Sequence, residues 1–251
     1  MSDTELLKKR FIDLARRAYG SGSYRFTPFL GLAEQSALDE VKRELKDYPY
    51  TLYGGTDGAE RVMARFGNID EFGYEEDFPI LCIMARPLSE KFADRLTHRD
   101  FLGALLNLGI EREVLGDIVV RDSSAYIFAK ADITDYIVST LCRVKHTDVK
   151  LSVIDELPEG AMYRTERRRV QISSERLDAI VARLFCLSRE DAQSLFSKGL
   201  VFVGGRECDS ASKTVREGDV VSVRTKGRFV YLGVEGTSKK GKLNVSVDLY
   251  V

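Results

Sequence analysis

The sequence has few of the residues from which metal sites and nucleophilic triads are built. It contains only two histidines, His98 and His146. Few residues are therefore available as metal ligands or as the histidine of a catalytic triad. Its four cysteines are far apart and form no CxxC pair: Cys82, Cys142, Cys186 and Cys208. That spacing fits neither a zinc knuckle nor a secreted disulfide framework. We therefore predict no metal, no cofactor and a reduced, cytoplasmic protein.

Long apolar segments are also missing. No window approaches the roughly 18 uninterrupted apolar residues of a membrane span. Residues 1–17 alternate charged and apolar side chains and lack the apolar core of a signal peptide. We therefore expect no membrane partner.

The charge is distributed unevenly along the chain. The 251 residues carry a net charge of −1, and a chain of this length holds two domains or three small ones. Residues 1–160 contain 21 basic and 28 acidic side chains, a net of −7, whereas residues 161–251 contain 17 and 11, a net of +6. Unless the two parts differ by chance, this asymmetry indicates a C-terminal part that binds nucleic acid.

Residues 1–78 are predicted to form an N-terminal α/β region. Apolar residues at helical spacing predict one helix that ends at Gly20 and a second from Ala33 to Leu45. A short strand, Tyr50–Tyr53, leads to a glycine-rich turn at residues 54–58 and then to a helical stretch through Phe66. The turn lacks the Gly-Lys-Ser/Thr ending of a P-loop. We interpret it as a tight turn at a helix N-terminus, with phosphate binding by backbone N–H groups as the alternative.

Residues 79–160 are predicted to form an RRM-like domain. Strands and helices follow in the order β-α-β-β-α-β, at residues 80–85, 97–108, 117–121, 125–129, 132–141 and 144–154. Thr97 and Asp100 begin the first helix as a capping box, and Asp122-Ser123-Ser124 is the predicted turn between the middle strands. This order is that of the ferredoxin-like fold, a four-stranded antiparallel sheet with two helices on one face.

Residues 158–174 form a polar and basic connector. Its four arginines are Arg164, Arg167, Arg168 and Arg169. The cluster is either a solvated run of charge or a segment that contacts phosphate groups. The same segment is also a candidate for a strand that returns to the middle domain.

The residues that follow resemble an S4 RNA-binding domain. Leu177, Ile180, Val181 and Leu184 predict a helix with one buried stripe, and a second short helix closes at Gly199. The resemblance rests on an ordered series: Arg176-Leu177-Asp178, Leu187-Ser188-Arg189, Lys198-Gly199-Leu200-Val201, Val203-Gly204-Gly205, Glu217-Gly218-Asp219 and Val221-Ser222-Val223-Arg224. One departure is Gly204, where the family usually has Asn. Glycine also accepts left-handed geometry, so we expect the turn to form without the side-chain hydrogen bond of Asn.

A wider resemblance covers most of the chain. Four segments are similar to the bacterial YlmH family: Tyr53-Gly54-Gly55, Gly58-Ala59-Glu60-Arg61, the block from His98 to Ile110, and Gly116-Asp117-Ile118. The resemblance implies an α+β fold with an N-terminal α/β region, an RRM-like middle domain and a C-terminal S4 (αL-type) domain at residues 172–235, extended to 251. It also implies a non-catalytic, cytoplasmic protein that binds rRNA and peptidyl-tRNA on the large ribosomal subunit, in quality control of stalled translation.

Two other functional classes stay open. RNA-modifying enzymes also carry S4 domains, but their pseudouridine synthases have a Gly-Arg-Leu-Asp block in a large catalytic domain, and Glu175 replaces that glycine here. His98-Arg99-Asp100 matches the start of a kinase catalytic loop, but Leu105 stands where the metal-binding Asn is needed. YlmH members are often encoded near division genes, so the third class is a cell-division adaptor that binds protein partners through its acidic N-terminal half.

The residues that we predict to bind RNA are polar or basic and belong to the S4 segment. They are Arg176, Arg183, Ser188, Arg189, Gln193, Lys198, Arg206, Lys226 and Arg228. Arginine suits this task because its planar fork contacts phosphate bidentately and stacks on bases. We expect the three arginines of the helices to line one surface and the other basic residues to surround it. We expect Arg176 and Arg189 to bind RNA without contributing to the fold. Phe229 and Tyr231 either stack on bases or lie in the core, and we expect a monomer.

Overall fold

The computed structural model describes residues 3–121, 123–158 and 162–250. The chain divides into two compact units, Met1–Met162 and Tyr163–Val251. Asp122 of the predicted turn and the predicted domain boundary at residue 160 lie outside the described residues. The three predicted domain ranges stay predictions. Across the described ranges, none of the helices combines the length and the apolar character needed to cross a membrane.

The first part of unit 1 is a small sheet covered by two helices. Its elements are α1 (Asp3–Ser21), β1 (Arg25–Phe26), α2 (Leu32–Glu40), β2 (Tyr50–Tyr53), β3 (Met63–Phe66) and α3 (Ile69–Phe72). The strands pair antiparallel in the order β1-β3-β2. Phe11 and Ala15 of α1 pack with Leu38 of α2 and Phe66 of β3 in one core. The apolar stripe of α1 is therefore used as the sequence predicts.

Two predicted elements in this region are wrong. The helical stretch through Phe66 is the strand β3, whose four residues are all buried. β3 is central, with strands on both sides, and buries Arg65 as well as its three apolar residues, so its sequence does not show the alternating period of a half-buried strand. The second helix ends at Glu40, although Val41 and Leu45 in the turns that follow are still buried.

The second part of unit 1 has the predicted ferredoxin-like topology. Its elements are β4 (Ile80–Pro87), α4 (His98–Asn107), β5 (Leu115–Arg121), β6 (Ser124–Lys130), α5 (Ala131–Thr140), β7 (Arg143–Val144) and β8 (Thr147–Ile154), with short 3-10 helices at Glu90–Phe92 and Arg112–Val114. The strands are antiparallel in the order β5-β6-β4-β8-β7. The four long strands match the ferredoxin-like order, and β7 is an additional short edge strand.

The start of α4 confirms the interpretation of His98-Arg99-Asp100 as the beginning of a helix. Asp100 Oδ2 accepts hydrogen bonds at 2.8 Å from both the backbone N–H and the hydroxyl of Thr97. The hydrogen bond from Lys145, followed by these two bonds from Thr97, lowers the pKa of Asp100 to about 2. Asp100 therefore caps a helix, as the sequence pattern predicts.

Unit 2 is a six-stranded sheet with two helices on one face. Its elements are β9 (Thr165–Ile172), α6 (Leu177–Leu184), α7 (Arg189–Ser197), β10 (Val201–Val203), β11 (Arg206–Glu207), β12 (Val220–Val223), β13 (Gly227–Thr237) and β14 (Leu243–Tyr250). The strand order is β11-β10-β12-β13-β14-β9. Leu177 and Ile180 pack with Phe196 and Phe229 in the core. Tyr231 lies in the same core, so the alternative in which Phe229 or Tyr231 stacks on bases is wrong.

Most of the basic connector is a strand of the unit 2 sheet. Residues 165–172 form β9, which pairs with β14 along its whole length, so the idea of a strand that returns to the middle domain is wrong. The side chains of three of its arginines form ion pairs with carboxylates of the same unit. The pairs are Arg167–Asp248, Arg168–Glu166 and Arg169–Glu235.

Candidate nucleic-acid interface

The two helices of unit 2 are joined by a carboxylate that is removed from solvent. Asp178, the second residue of α6, has a side chain that is 0% exposed. Its Oδ1 accepts hydrogen bonds from Arg176 Nε at 3.2 Å and Arg189 Nη1 at 2.9 Å. Its Oδ2 accepts from Arg176 Nη2 at 3.0 Å and Gln193 Nε2 at 3.1 Å. Four hydrogen bonds from three side chains therefore converge on one buried group.

Local helix geometry places these side chains. Arg176 is the N-cap of α6, with an extended backbone, and Asp178 is one of the residues of the first turn. Arg189 opens α7, and Gln193 is four residues later, so the two side chains share a face of that helix. Ser188 is the N-cap of α7: its hydroxyl accepts from the backbone N–H of Asp191 at 3.0 Å and donates to the carboxylate of Asp191.

The positive charges around Asp178 outnumber its single negative charge. Burial works to raise the pKa of Asp178, but the hydrogen bonds from Arg176 and Gln193 and the charge of Arg189 outweigh it and hold the pKa below its ordinary value. The carboxylate is therefore ionised at neutral pH. Two guanidinium groups face one carboxylate, which leaves one unit of positive charge at the surface.

Both arginines keep donors that no described residue accepts. The side chains of Arg176 and Arg189 are 41% and 49% exposed. Within the described ranges, Nη1 of Arg176 and Nε and Nη2 of Arg189 have no hydrogen-bond partner. An arginine that is held on one edge and open on the other presents charged donors to a phosphate group. We define Arg176, Asp178, Arg189 and Gln193 as the arginine cluster.

The sequence prediction missed Asp178 and treated the arginines as independent of the fold. Arg176 and Arg189 in fact neutralise a buried carboxylate, so each contributes to stability as well as to the surface charge. One signal was present in the sequence: Asp178 is a charged residue between the apolar Leu177 and Ala179-Ile180. Its partners on α7 come from the tertiary structure and are not visible in that local pattern.

Four other basic residues that are predicted to bind RNA lie at or near the ends of helices and strands of unit 2. Arg183 is exposed near the end of α6, and its Nε donates to the carbonyl oxygen of Gln171 on β9 at 3.2 Å. Lys198 follows α7 as its C-cap, Arg206 begins β11, and Lys226 lies in the turn before β13. All of these side chains are on residues that are exposed, and their part in RNA binding stays a prediction.

Arg228 is on the opposite face of the sheet from the helices. It alternates along β13 with Phe229 and Tyr231, which face the core beneath the helices. Its guanidinium lies 3.8 Å from the ring centre of Tyr250 and 5.0 Å from that of Tyr163. The expected position at the rim of the helical surface is therefore wrong for Arg228, and its contacts are those of a cation–π stack.

The hairpin turn at Gly204 forms as predicted. Gly204 and Gly205 both have positive φ, +59° and +80°, as a type I′ turn requires. No atom lies within 4 Å of the position that a Cβ on Gly204 would occupy. The usual Asn of the family therefore fits this position without a clash.

Replacing Gly204 with Asn is expected to raise the free energy of unfolding by about 0.4–1 kcal/mol, because it restricts the unfolded chain while the folded turn tolerates Asn. Gly204→Val is the control and is expected to lose about 1–2 kcal/mol, because left-handed backbone is costly for other L-residues. Chemical denaturation of the two variants gives both values. A loss of stability in Gly204→Asn contradicts the assignment of this turn.

The glycine-rich turn of unit 1 has a packing role. It joins β2 to β3, so its predicted position at a helix N-terminus is wrong. Gly55 has a φ of +93°, and a Cβ on it would lie 2.4 Å from the ring of Phe128 and 3.0 Å from Ile80. The turn therefore covers the face of the middle sheet at Phe128, which is 1% exposed. RRM domains use aromatic side chains on this face to stack bases. Phe128 is not accessible for such stacking, because the turn covers it.

Asp117 connects the same turn region to the middle sheet. Its carboxylate accepts hydrogen bonds from the backbone N–H groups of Glu60 at 2.7 Å and Arg61 at 3.1 Å. Arg61 in turn donates to the carbonyl oxygens of Leu115, Phe29 and Arg112. Of these residues, Glu60, Arg61 and Asp117 belong to the segments that resemble the YlmH family. They hold the first and second parts of unit 1 together, and we call this set the Asp117 clamp.

Comparisons with known proteins agree with this architecture. Residues 74–157 match the family model described as "Putative RNA-binding domain in YlmH", and residues 175–221 match the S4 domain. The chain is 33% identical over 226 residues to "Ribosome-associated protein quality control protein P2" of Bacillus subtilis, covering 89% of this chain and 86% of that protein.

Two further matches cover less of the chain. Small ribosomal subunit protein uS4 of Thermoanaerobacter sp. is 42% identical over 69 residues, which are 27% of this chain and 34% of that protein. A solved structure, "Cell division protein ylmH from Streptococcus pneumoniae", matches 61% of this chain and 93% of its own with 19% identity and a TM-score of 0.49.

The identity to the Bacillus subtilis protein extends over most of both chains, and the two family models cover the middle and C-terminal parts in the expected order. The S4 match includes Arg176, Asp178, Arg189 and Gln193. The chain therefore belongs to the YlmH family of S4-domain RNA-binding proteins.

Proposed function

We propose that the chain is a non-catalytic RNA-binding protein that associates with the ribosome. The observation that carries the proposal is the arginine cluster, in which Asp178 holds Arg176 and Arg189 with their remaining donors open. Such a site suits the phosphate groups of structured RNA, whose base edges lie in a deep and narrow groove. The name of the Bacillus subtilis relative supports ribosome association.

The site of association that we propose is the large ribosomal subunit, where the protein contacts rRNA and peptidyl-tRNA during quality control of stalled translation. It acts there as a monomer in the cytoplasm. The basic residues 161–251 supply the RNA contacts, whereas the acidic residues 1–160 are suited to protein partners. Two modest contacts on one assembly raise the overall affinity through effective concentration. The role of the protein is to hold RNA in place, without a chemical step.

Sedimentation of cell extracts through a density gradient tests this proposal. The full-length protein is expected to migrate with free large subunits in preference to intact ribosomes, and more of it should do so when translation is stalled. Arg189→Gln is expected to reduce this fraction, because the variant loses a phosphate-binding charge. Arg16→Gln is the matched control, since it removes one exposed positive charge from α1.

Other outcomes favour the competing functions. Sedimentation entirely free of ribosomal particles under stalling, at near-physiological salt, contradicts the proposal and favours a cell-division adaptor. A uridine modification or methylation of RNA by the purified protein favours an RNA-modifying enzyme. Equal loss of particle-bound protein in Arg189→Gln and Arg16→Gln contradicts the assignment of the contact to the arginine cluster.

A further inference from the structure

We propose that Asp178 is a positioning residue for RNA binding: it fixes Arg176 and Arg189 as a rigid pair that takes a backbone phosphate of structured RNA. This inference rests on the proposed function of the chain as an RNA-binding protein. The negative charge of Asp178 alone would weaken RNA binding. The positioning role that we propose strengthens it.

The geometry supports fixation of both side chains. Arg176 is held through two nitrogens, Nε and Nη2, on the two oxygens of Asp178, so the plane of its guanidinium is fixed. Arg189 comes from the other helix and is held through Nη1 on Oδ1. Gln193 occupies the second oxygen at 3.1 Å, and the backbone N–H of Asp178 donates to the carbonyl oxygen of Ala211 at 3.0 Å. The carboxylate therefore has little freedom to move.

Fixation lowers the cost of binding. An exposed arginine that binds a phosphate loses the freedom of a long side chain, which costs about 0.5–1.5 kcal/mol for each side chain ordered. In the arginine cluster the folding of unit 2 has already ordered both side chains. The donors that remain open are on the side away from Asp178, and all of them belong to groups whose charge never changes at neutral pH. A phosphate with several acceptor oxygens is the ligand that such a pair recognises.

The alternative effect of Asp178 is electrostatic. A carboxylate next to a phosphate site repels the ligand, and its removal makes the site more positive by one unit. If charge alone decides the affinity, Asp178→Asn binds RNA more tightly and with a steeper dependence on salt. If positioning decides it, Asp178→Asn binds more weakly in spite of the added positive charge, because Asn keeps one acceptor oxygen and frees the arginines. The sign of the change separates the two effects.

The experiment measures the affinity of the full-length protein for an RNA hairpin with a fully paired stem, at several salt concentrations. Asp178→Asn is expected to weaken binding about tenfold, the cost of ordering two arginine side chains again. The same substitution in an Arg176→Gln/Arg189→Gln background is expected to change the affinity little, because the residues through which Asp178 acts are then absent. Unchanged or tighter binding by folded Asp178→Asn overturns the positioning role. An equal weakening in both backgrounds overturns it as well.

A second measurement applies to the wild-type protein and does not depend on the folding of a variant. In the absence of RNA, the Nε–H groups of Arg176 and Arg189 are expected to have NMR order parameters close to that of rigid backbone, about 0.85. Arg216, an exposed residue of the same unit, is the control and is expected below about 0.6. Values for Arg176 and Arg189 as low as that of Arg216 overturn the inference.

The result that contradicts the proposed function differs from the result that contradicts the positioning role of Asp178. If the wild-type protein does not bind the hairpin, the RNA-binding function of the chain is contradicted. If the wild-type protein binds and Arg189→Gln weakens binding, while Asp178→Asn does not, only the positioning role of Asp178 is contradicted.

Discussion

Replacing Arg176 and Arg189 together by glutamine is expected to lower the affinity for structured RNA by at least about 2 kcal/mol, or roughly 30-fold, because each specific arginine contact contributes about 1–3 kcal/mol. The two contributions are not strictly additive, since both side chains share Asp178. The dependence of affinity on salt is also expected to become shallower, because fewer counterions are released from the RNA. A titration of an RNA hairpin at several salt concentrations measures both quantities.

The buried carboxylate makes a folding control necessary. Without its two arginines, Asp178 keeps only Gln193 as a side-chain partner among the residues that the structure describes, and an uncompensated buried charge is strongly destabilising. The triple variant with Asp178→Asn removes that charge and is expected to be more stable than the double variant, with the same weak RNA binding. Circular dichroism establishes that each variant is folded. Folded variants that bind RNA as tightly as the wild type contradict the assignment of the interface.

Much of the architecture could be predicted from local patterns. The β-α-β-β-α-β order of the middle domain and the two helices of the S4 segment are correct because each element has a clear period or a clear start signal, such as Thr97 with Asp100. The strand β3 was misjudged because a central strand with both faces covered lacks that period. Period alone therefore predicts amphipathic elements better than fully buried ones.

The candidate interface could be predicted only in part. The motif residues Arg176 and Arg189 are correctly brought to one place, but the reason is Asp178, and its partners are eleven and fifteen residues away on another helix. The position of Arg228 could have been inferred from its alternation with Phe229 and Tyr231 on one strand. Contacts between elements are set by packing, which the sequence of a single element does not contain.

The YlmH-like segments of unit 1 also required the structure for their interpretation. In the sequence, the glycines at residues 54, 55 and 58 leave phosphate binding by backbone N–H groups open. In the fold, Gly55 lies against Phe128 and Arg61 donates to backbone carbonyl oxygens. Burial lowers the pKa of Arg61 below its ordinary range, although the group stays charged at neutral pH. The segments at residues 58–61 and 116–118 are therefore explained by the Asp117 clamp.

Replacing Asp117 with Ala is expected to destabilise unit 1 by about 3 kcal/mol, because hydrogen bonds to a charged group contribute about 1.5–3 kcal/mol each and two backbone N–H groups lose their acceptor. Asp117→Asn keeps one acceptor oxygen and is expected to lose about half as much. Asp135→Ala, on the exposed face of α5, is the control and is expected within about 0.5 kcal/mol of the wild type. Chemical denaturation measures the three values, and RNA affinity, which we assign to unit 2, is expected to stay unchanged. If Asp117→Ala is as stable as Asp135→Ala, the clamp does not hold the two parts of unit 1 together.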